Sequence, residues 1–322
     1  WAAMAFVFRR FGVSYEMIRH ASILALVPMW FLAVYLLVVL LVPVTRAAWH
    51  RFGSRSLWVL VALAVAVDVL RFHDGHQPAL GWINYLFVWG AVHQLGYLWR
   101  DGRLAGAPQA LPWLAGGALA WMLLARFGPY PLSMVGVPGE PVSNTTPPSV
   151  LLLAFAAAQV GLVLALERPM RRWLDGTRAW AATVLVNGTI MTVYLWHLTV
   201  LALLVGLAML AGGFGLHLVP GTGEWWLARV PWLLVMAAGL GLLIPLVGRF
   251  ERSAPLPPDF RHSTLRVLAG AALASAGIAF LALDGIAAAG ALGVRGVVVG
   301  ATILGAWMLG AIGTGASRLR SP

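Results

Sequence analysis

Two histidines lie inside long apolar stretches of this chain, each with polar neighbours at helical spacing. In NGTIMTVYLWHL (187–198), Asn187, Tyr194 and His197 share one face. At 100° per residue, Asn187 and Tyr194 differ by about 20°, and Asn187 and His197 by about 80°. An imidazole titrates near neutral pH and can act as general acid or base. These three are the candidate catalytic residues; the competing reading is a histidine satisfied by a neighbouring helix. In WGAVHQLGYLWRDG (89–102), Trp89, His93, Tyr97 and Arg100 form a second stripe, at spacings of four, four and three. A guanidinium at the end of such a stripe can hold phosphate oxygens by paired hydrogen bonds. These four are candidate substrate-binding residues, against the competing reading of an aromatic belt with a snorkelling arginine. Trp30 and Tyr35 in PMWFLAVYL (28–36) join them as candidates, since Trp30 lies about eight residues into its stretch.

Other polar residues carry less. Asp68 precedes Arg71 by three positions and reads as an interfacial ion pair on a helix. Asp284 sits at a helix end with no assigned role. Asn84 is nine residues from His93, about half a turn away around a helix. His73, Asp74 and His76 are close together, but two histidines without a third firm ligand make a weak zinc signal, and no metal is expected. No phosphate-binding loop, dinucleotide fingerprint or serine elbow occurs.

The elements that must position these groups follow from composition. Of 322 residues, 61% are hydrophobic and only 10% charged, against about 25% charged in soluble domains. The mean hydropathy is +0.85. A soluble enzyme, a disordered chain and a nucleic-acid-binding domain are excluded. Cysteine is absent, which removes disulfides, thiolate metal sites and cysteine nucleophiles. Nine stretches reach the roughly 20 apolar residues that a bilayer requires, at about 22–44, 56–72, 80–99, 109–127, 148–167, 181–205, 228–247, 265–284 and 296–315. No strand alternation is visible, and backbone groups in lipid must be satisfied within each segment. The expected fold is therefore an all-α, polytopic transmembrane bundle of about nine visible spans.

All 22 basic residues are arginine. Fifteen fall in alternate loops, after the first, third, fifth, seventh and ninth stretches, which places those loops and the C-terminus in the cytoplasm. Arg9, Arg10 and Arg19 fall on the outer side in this scheme and have no account. The longest loop, 128–147, is rich in Pro and Gly and reads equally as a lid or a connector. A Pro-rich linker at 253–264 separates residues 1–252 from a final Ala/Gly-rich pair of helices in 265–322. Within that pair, Gly296 and Gly300 have the spacing of a close-packing motif.

Several stretches together resemble the acyltransferase 3 family of integral-membrane acyltransferases. They are PMWFLAVYLLVVLLVPVT (28–45), INYLFVWGAVHQLGYLWRDG (83–102), NTTPPSVLLLAFAAAQVGLVLALERP (144–169), NGTIMTVYLWHLTVL (187–201) and GRFERSAP (248–255). The pairing of WFLAVYL with LWRDG resembles the actinobacterial branch. The resemblance implies a bundle of about ten helices transferring an acyl group, commonly acetyl from acyl-CoA, to a hydroxyl of a sugar, a cell-surface glycan or a metabolite. It implies a cell-membrane protein working in O-acetylation of the cell envelope or of metabolites, with the lipid bilayer and a glycan or small-molecule acceptor as partners and no nucleic acid. Tyr194 and His197 match the family's late tyrosine and histidine and are assigned to the acceptor side. His93 and Arg100 are assigned to the donor side. The family's early histidine and arginine motifs have no match, so about three helices are expected before Trp1, and the stretch is expected to be non-catalytic by itself. The alternative is a transporter or flippase of a lipid-linked or glycan substrate, which broken helices in two related halves would favour.

Overall fold

A computed structural model describes residues 1–73, 78–104, 107–136, 140–251, 263–288 and 293–310. Twelve α-helices run through them: α1 (Ala2–Arg10), α2 (Tyr15–Leu26), α3 (Trp30–Phe52), α4 (Ser54–Phe72), α5 (Asn84–Arg100), α6 (Ala107–Phe127), α7 (Val150–Ala165), α8 (Glu167–Leu174), α9 (Thr177–Leu210), α10 (Gly223–Glu251), α11 (Thr264–Asp284) and α12 (Gly296–Met308). Short 3-10 turns lead into α3 and α5. Among the described residues the only β features are two isolated bridges, so the all-α expectation holds.

Each of the nine apolar stretches is largely helical over its described residues. Five helical segments are long and apolar enough to cross a membrane, with α2 and α3 counted as one, and six if the bent pair α7–α8 is a single span. α12 has 13 residues, shorter than the roughly 20 that a bilayer asks for. α4 carries Arg55, Asp68 and Arg71 within its 19 residues, too many charges for an ordinary span. Residues 311–315 of the ninth stretch, Arg318, Arg320 and most of the 253–264 linker lie outside the described residues, as do Asp74, His76 and the Arg252–Pro255 end of the GRFERSAP match.

The chain divides into two compact units, Leu37–Trp180 and Trp1–Leu36 with Ala181–Pro322. In the central unit, α4 and α5 are antiparallel: Ser56 meets Gln94 at one end and Asp68 meets Asn84 at the other. α6 and α7 approach backbone to backbone because glycine permits it. A Cβ at Gly161 would fall 2.7 Å from Leu114 Cα and 2.9 Å from the Ala110 carbonyl. Leu57, Val88, Ala91, Leu95, Leu152 and Leu164 are among the side chains buried between these helices.

In the unit made from the two ends of the chain, Ser14 caps α2 and Ser263 caps α11, each hydroxyl accepting from an amide three residues on. α11 and α12 form a tight pair. The Gly296/Gly300 expectation is corrected here: a Cβ at either position would meet nothing within 4 Å. Gly270, Gly277 and Gly305 make the seam instead, with Gly305 facing Ala274 and Gly277 facing Thr302. Gly296 begins α12 and Gly300 lies one turn on, so their shared stripe points away from the partner helix.

The pair is anchored to α2. Asp284 accepts from Arg19 at 3.0 Å and also pairs with Arg295, and the Ile286 amide donates to Ser22 Oγ at 3.2 Å. This gives Arg19 the account that charge counting lacked: its partner is the acid at the end of α11. Arg10 lies over the Phe6 ring at 5.4 Å, and Arg9 stands beside Gly293.

Candidate functional site

The central unit carries a half-open cavity of about 580 Å³ between the second half of α3, the first half of α4 and the first three turns of α5. That volume falls within the range of small-molecule sites. Its walls are almost wholly aliphatic, from residues such as Leu37, Val38, Leu41, Leu60 and Leu86. The polar groups that line it are Thr45, Arg55, Ser56, Tyr85, His93 and Gln94. Thr45 shares a hydrogen bond with the Tyr97 hydroxyl, Ser56 donates to Gln94 Oε1 at 2.9 Å, and Tyr85 donates to the Thr145 carbonyl. His93 differs from these, because its Nδ1 is buried with no hydrogen-bond partner. A buried ring nitrogen without a partner is available to whatever fills the space beside it.

The α5 stripe is only partly assembled around this cavity. His93 lines it, and Tyr97 supports His93 edge-on, with ring centroids 4.9 Å apart. Arg100 lies over the Tyr97 ring at 5.2 Å and pairs with Asp101 at 3.5 Å, half exposed and away from the lining. Trp89 packs against the hydrophobic core. The stripe is therefore a chain of support leading to His93, with Arg100 at its far end.

On the opposite face of α5 lies a centre that spacing alone reads as a simple ion pair. Asp68, 2% exposed, accepts from Asn84 Nδ2 at 2.9 Å, the Tyr130 hydroxyl at 2.9 Å and the Val150 amide at 2.8 Å. Its contact with Arg71 is looser, 4.0 Å, and Arg71 is itself buried. Burial first, and the neighbouring Asp68 charge second, push the Tyr130 phenol well above its usual range. One carboxylate thus joins α4 and α5 to the start of the 128–147 loop and to the first residue of α7. Within that loop, Asn144 donates to the carbonyls of Pro131 and Ser133 and accepts from Ser149. The loop is strapped down at its described residues. The signal in the sequence was three polar residues, Asp68, Arg71 and Asn84, within apolar stretches, where each demands a partner.

The other unit holds the second histidine. His197 Nδ1 is 2.7 Å from the carbonyl of Tyr194, one turn back on α9. A carbonyl only accepts, so Nδ1 is the donor in this contact. The Tyr194 ring lies 6.0 Å from that of His197 and meets Phe31 edge-on at 5.5 Å. Phe31 in turn contacts Trp30 and stacks on Tyr35 at 6.2 Å. Trp30, Tyr35, Tyr194 and His197 therefore form one aromatic ladder, which spacing could not have joined across two helices. Asn187 lies exposed on α9, two turns before Tyr194 and outside the ladder. Thr199, two residues after His197, accepts from the Trp1 indole at 2.9 Å. Among the described residues, no group of three or more His, Cys, Asp or Glu could hold a metal ion.

Residues 1–248 match the family model described as an acyltransferase domain, that of the acyltransferase 3 family. No curated protein and no solved structure matches the chain.

Proposed function

The chain belongs to the acyltransferase 3 family, and from that premise we propose that it transfers an acyl group from acyl-CoA to a hydroxyl of a sugar, a cell-surface glycan or a metabolite. The observation that carries this reading is the family match over residues 1–248, in a multi-pass membrane protein with several apolar helices of spanning length. Fifteen arginines in alternate loops support a place in the cell membrane with the C-terminus in the cytoplasm. A count of nine spans follows if α4, α5 and α12 also cross.

In this reading the donor's acyl group occupies the cavity of the central unit, where an unpartnered His93 nitrogen stands beside a largely aliphatic wall. His197 is assigned as the catalytic candidate of the acceptor side, its Nδ1 directed at the Tyr194 carbonyl one turn back. The acceptor oxygen attacks the thioester carbonyl, a C–O bond forms and the C–S bond breaks. The hydroxyl proton passes to a general base, and the CoA sulfur leaves as thiolate and is protonated to the thiol. Tyr194 positions His197 through its carbonyl and ring, and Asn187, Trp30 and Tyr35 are assigned to the acceptor's surroundings.

The test is release of free CoA thiol by the purified full-length protein, with His93→Ala and His197→Ala measured separately. Acceptor-dependent thiol release that falls in both variants supports the reading. Unchanged turnover in both removes these site assignments, and no thiol release by the wild type removes the enzymatic reading.

A further inference from the structure

The cavity, at about 580 Å³, is far larger than an acetyl group requires, and its lining comes from three helices. On α5 its lining runs from Tyr85 to Gln94, about 14 Å at 1.5 Å per residue. Polar groups gather toward one end, where Ser56 and Gln94 are bonded to each other, His93 adjoins them and Arg55 stands exposed at the start of α4. The remainder is bounded by Leu37, Val38, Leu41, Leu60 and Leu86. Tyr85 and Thr45 line it elsewhere, their hydroxyls already bonded to the Thr145 carbonyl and to Tyr97, and a site with its free polar groups gathered beside an aliphatic length suits a ligand of the same construction. A two-carbon acyl group would leave nearly all of that apolar wall unfilled, whereas a longer chain would make dispersion contacts along it.

We propose that this cavity takes a long aliphatic acyl chain, with its carbonyl end beside His93 and Gln94 and its tail along the Leu37–Leu41 and Leu60–Leu86 walls. The inference rests on the acyltransferase reading for the source of the chain, a long-chain acyl-CoA. Arg55 at the polar end gives the anionic phosphates of such a donor a cationic neighbour. The chain-length preference of the protein then lies in the width of the cavity at Val38 and Gly90. Gly90 faces Leu60, and a Cβ there would sit 3.4 Å from Leu60 Cδ1, an ordinary contact, so one methyl group can be added without displacing a helix.

Two measurements on the full-length protein in detergent or vesicles test this. The first is thiol release with acetyl-, octanoyl- and palmitoyl-CoA. Wild type is expected to favour the longer donors. Val38→Trp is expected to lower the palmitoyl-to-acetyl ratio by about tenfold or more, and Gly90→Ala to shift it in the same direction by less. A wild-type preference for acetyl-CoA, or ratios unchanged in both variants, overturns the proposal.

The second is photolabelling with palmitoyl-CoA carrying a diazirine in its chain, in parallel with a phosphatidylethanolamine bearing the same tail. Labelling of residues 37–60 and 85–94 by the CoA probe, competed by palmitoyl-CoA and not by acetyl-CoA, supports it. Labelling there by the phospholipid alone overturns it, since the cavity would then hold a membrane lipid tail. No labelling by either probe also overturns it. CoA-probe labelling in a protein that releases no thiol would leave the chain-binding site standing while the acyltransferase reading fails.

Discussion

Asp68 and Asp284 are both acids on otherwise apolar helices, and the two units treat them in opposite ways. In the central unit, Asp68 is sealed off and joins its own helix α4 to three other segments by direct hydrogen bonds from Asn84, Tyr130 and Val150. In the other unit, Asp284 is about a third exposed and held by two arginines, Arg19 and Arg295. The two histidines follow the same contrast in reverse. His93 stands in a cavity wall with a buried nitrogen unpartnered, whereas His197 has its Nδ1 tied to its own helix. Burial raises the value of each hydrogen bond and the cost of each missing one, so residues of one type differ in worth according to the helices around them.

The largest expected effect breaks the first half of that contrast. Asp68→Ala leaves Arg71 buried without its counter-charge and strips the Tyr130 hydroxyl and the Val150 amide of their acceptor. A loss of about 3–5 kcal/mol is expected, read as thermal unfolding of the purified protein in detergent. Asp284→Ala, a partly exposed pair, should cost about 1 kcal/mol or less. Equal losses in the two variants would erase the distinction between the units.

The histidine contrast comes next. His197→Ala, on the acceptor side, is expected to lower kcat for acyl transfer by about 10² or more. His93→Ala, at the donor cavity, acts chiefly on KM for acyl-CoA. Steady-state kinetics on both variants separates the roles, and a reversed pattern would exchange them.

A smaller effect concerns the glycine seams. Gly161→Val should destabilise by about 1–3 kcal/mol through overpacking against the α6 backbone. Gly300→Val, with open space around it, should fall within about 0.5 kcal/mol of wild type. Differential scanning of the two proteins checks this.

The smallest is Tyr130→Phe, which removes one hydrogen bond to Asp68 and should cost about 1 kcal/mol. Limited proteolysis should then cut the 128–147 loop faster, while the Val150 amide still holds its other end.

Part of this arrangement is legible in the order of residues along the chain. The apolar runs locate the helices because a span must satisfy its backbone internally, and Tyr194–His197 and His93–Tyr97 pair as their one-turn spacing requires. Asn84 does face away from His93, toward Asp68. Arg19 is unreadable in this way because its partner lies 265 residues away. The Gly296/Gly300 pair misleads because spacing places residues on a stripe without saying which stripe meets a neighbour.

Sequence alone therefore determined the helical, membrane-embedded character, the family and the two histidine faces, since all of these depend on composition, order and local periodicity. Only the tertiary structure decided that Asp68 is a four-way junction, that Trp30 and Tyr35 join Tyr194 and His197 through Phe31, that Asn187 stands apart, and that His93 opens on an aliphatic cavity. Each of those depends on which faces of distant helices meet, and helical periodicity carries no record of the partner.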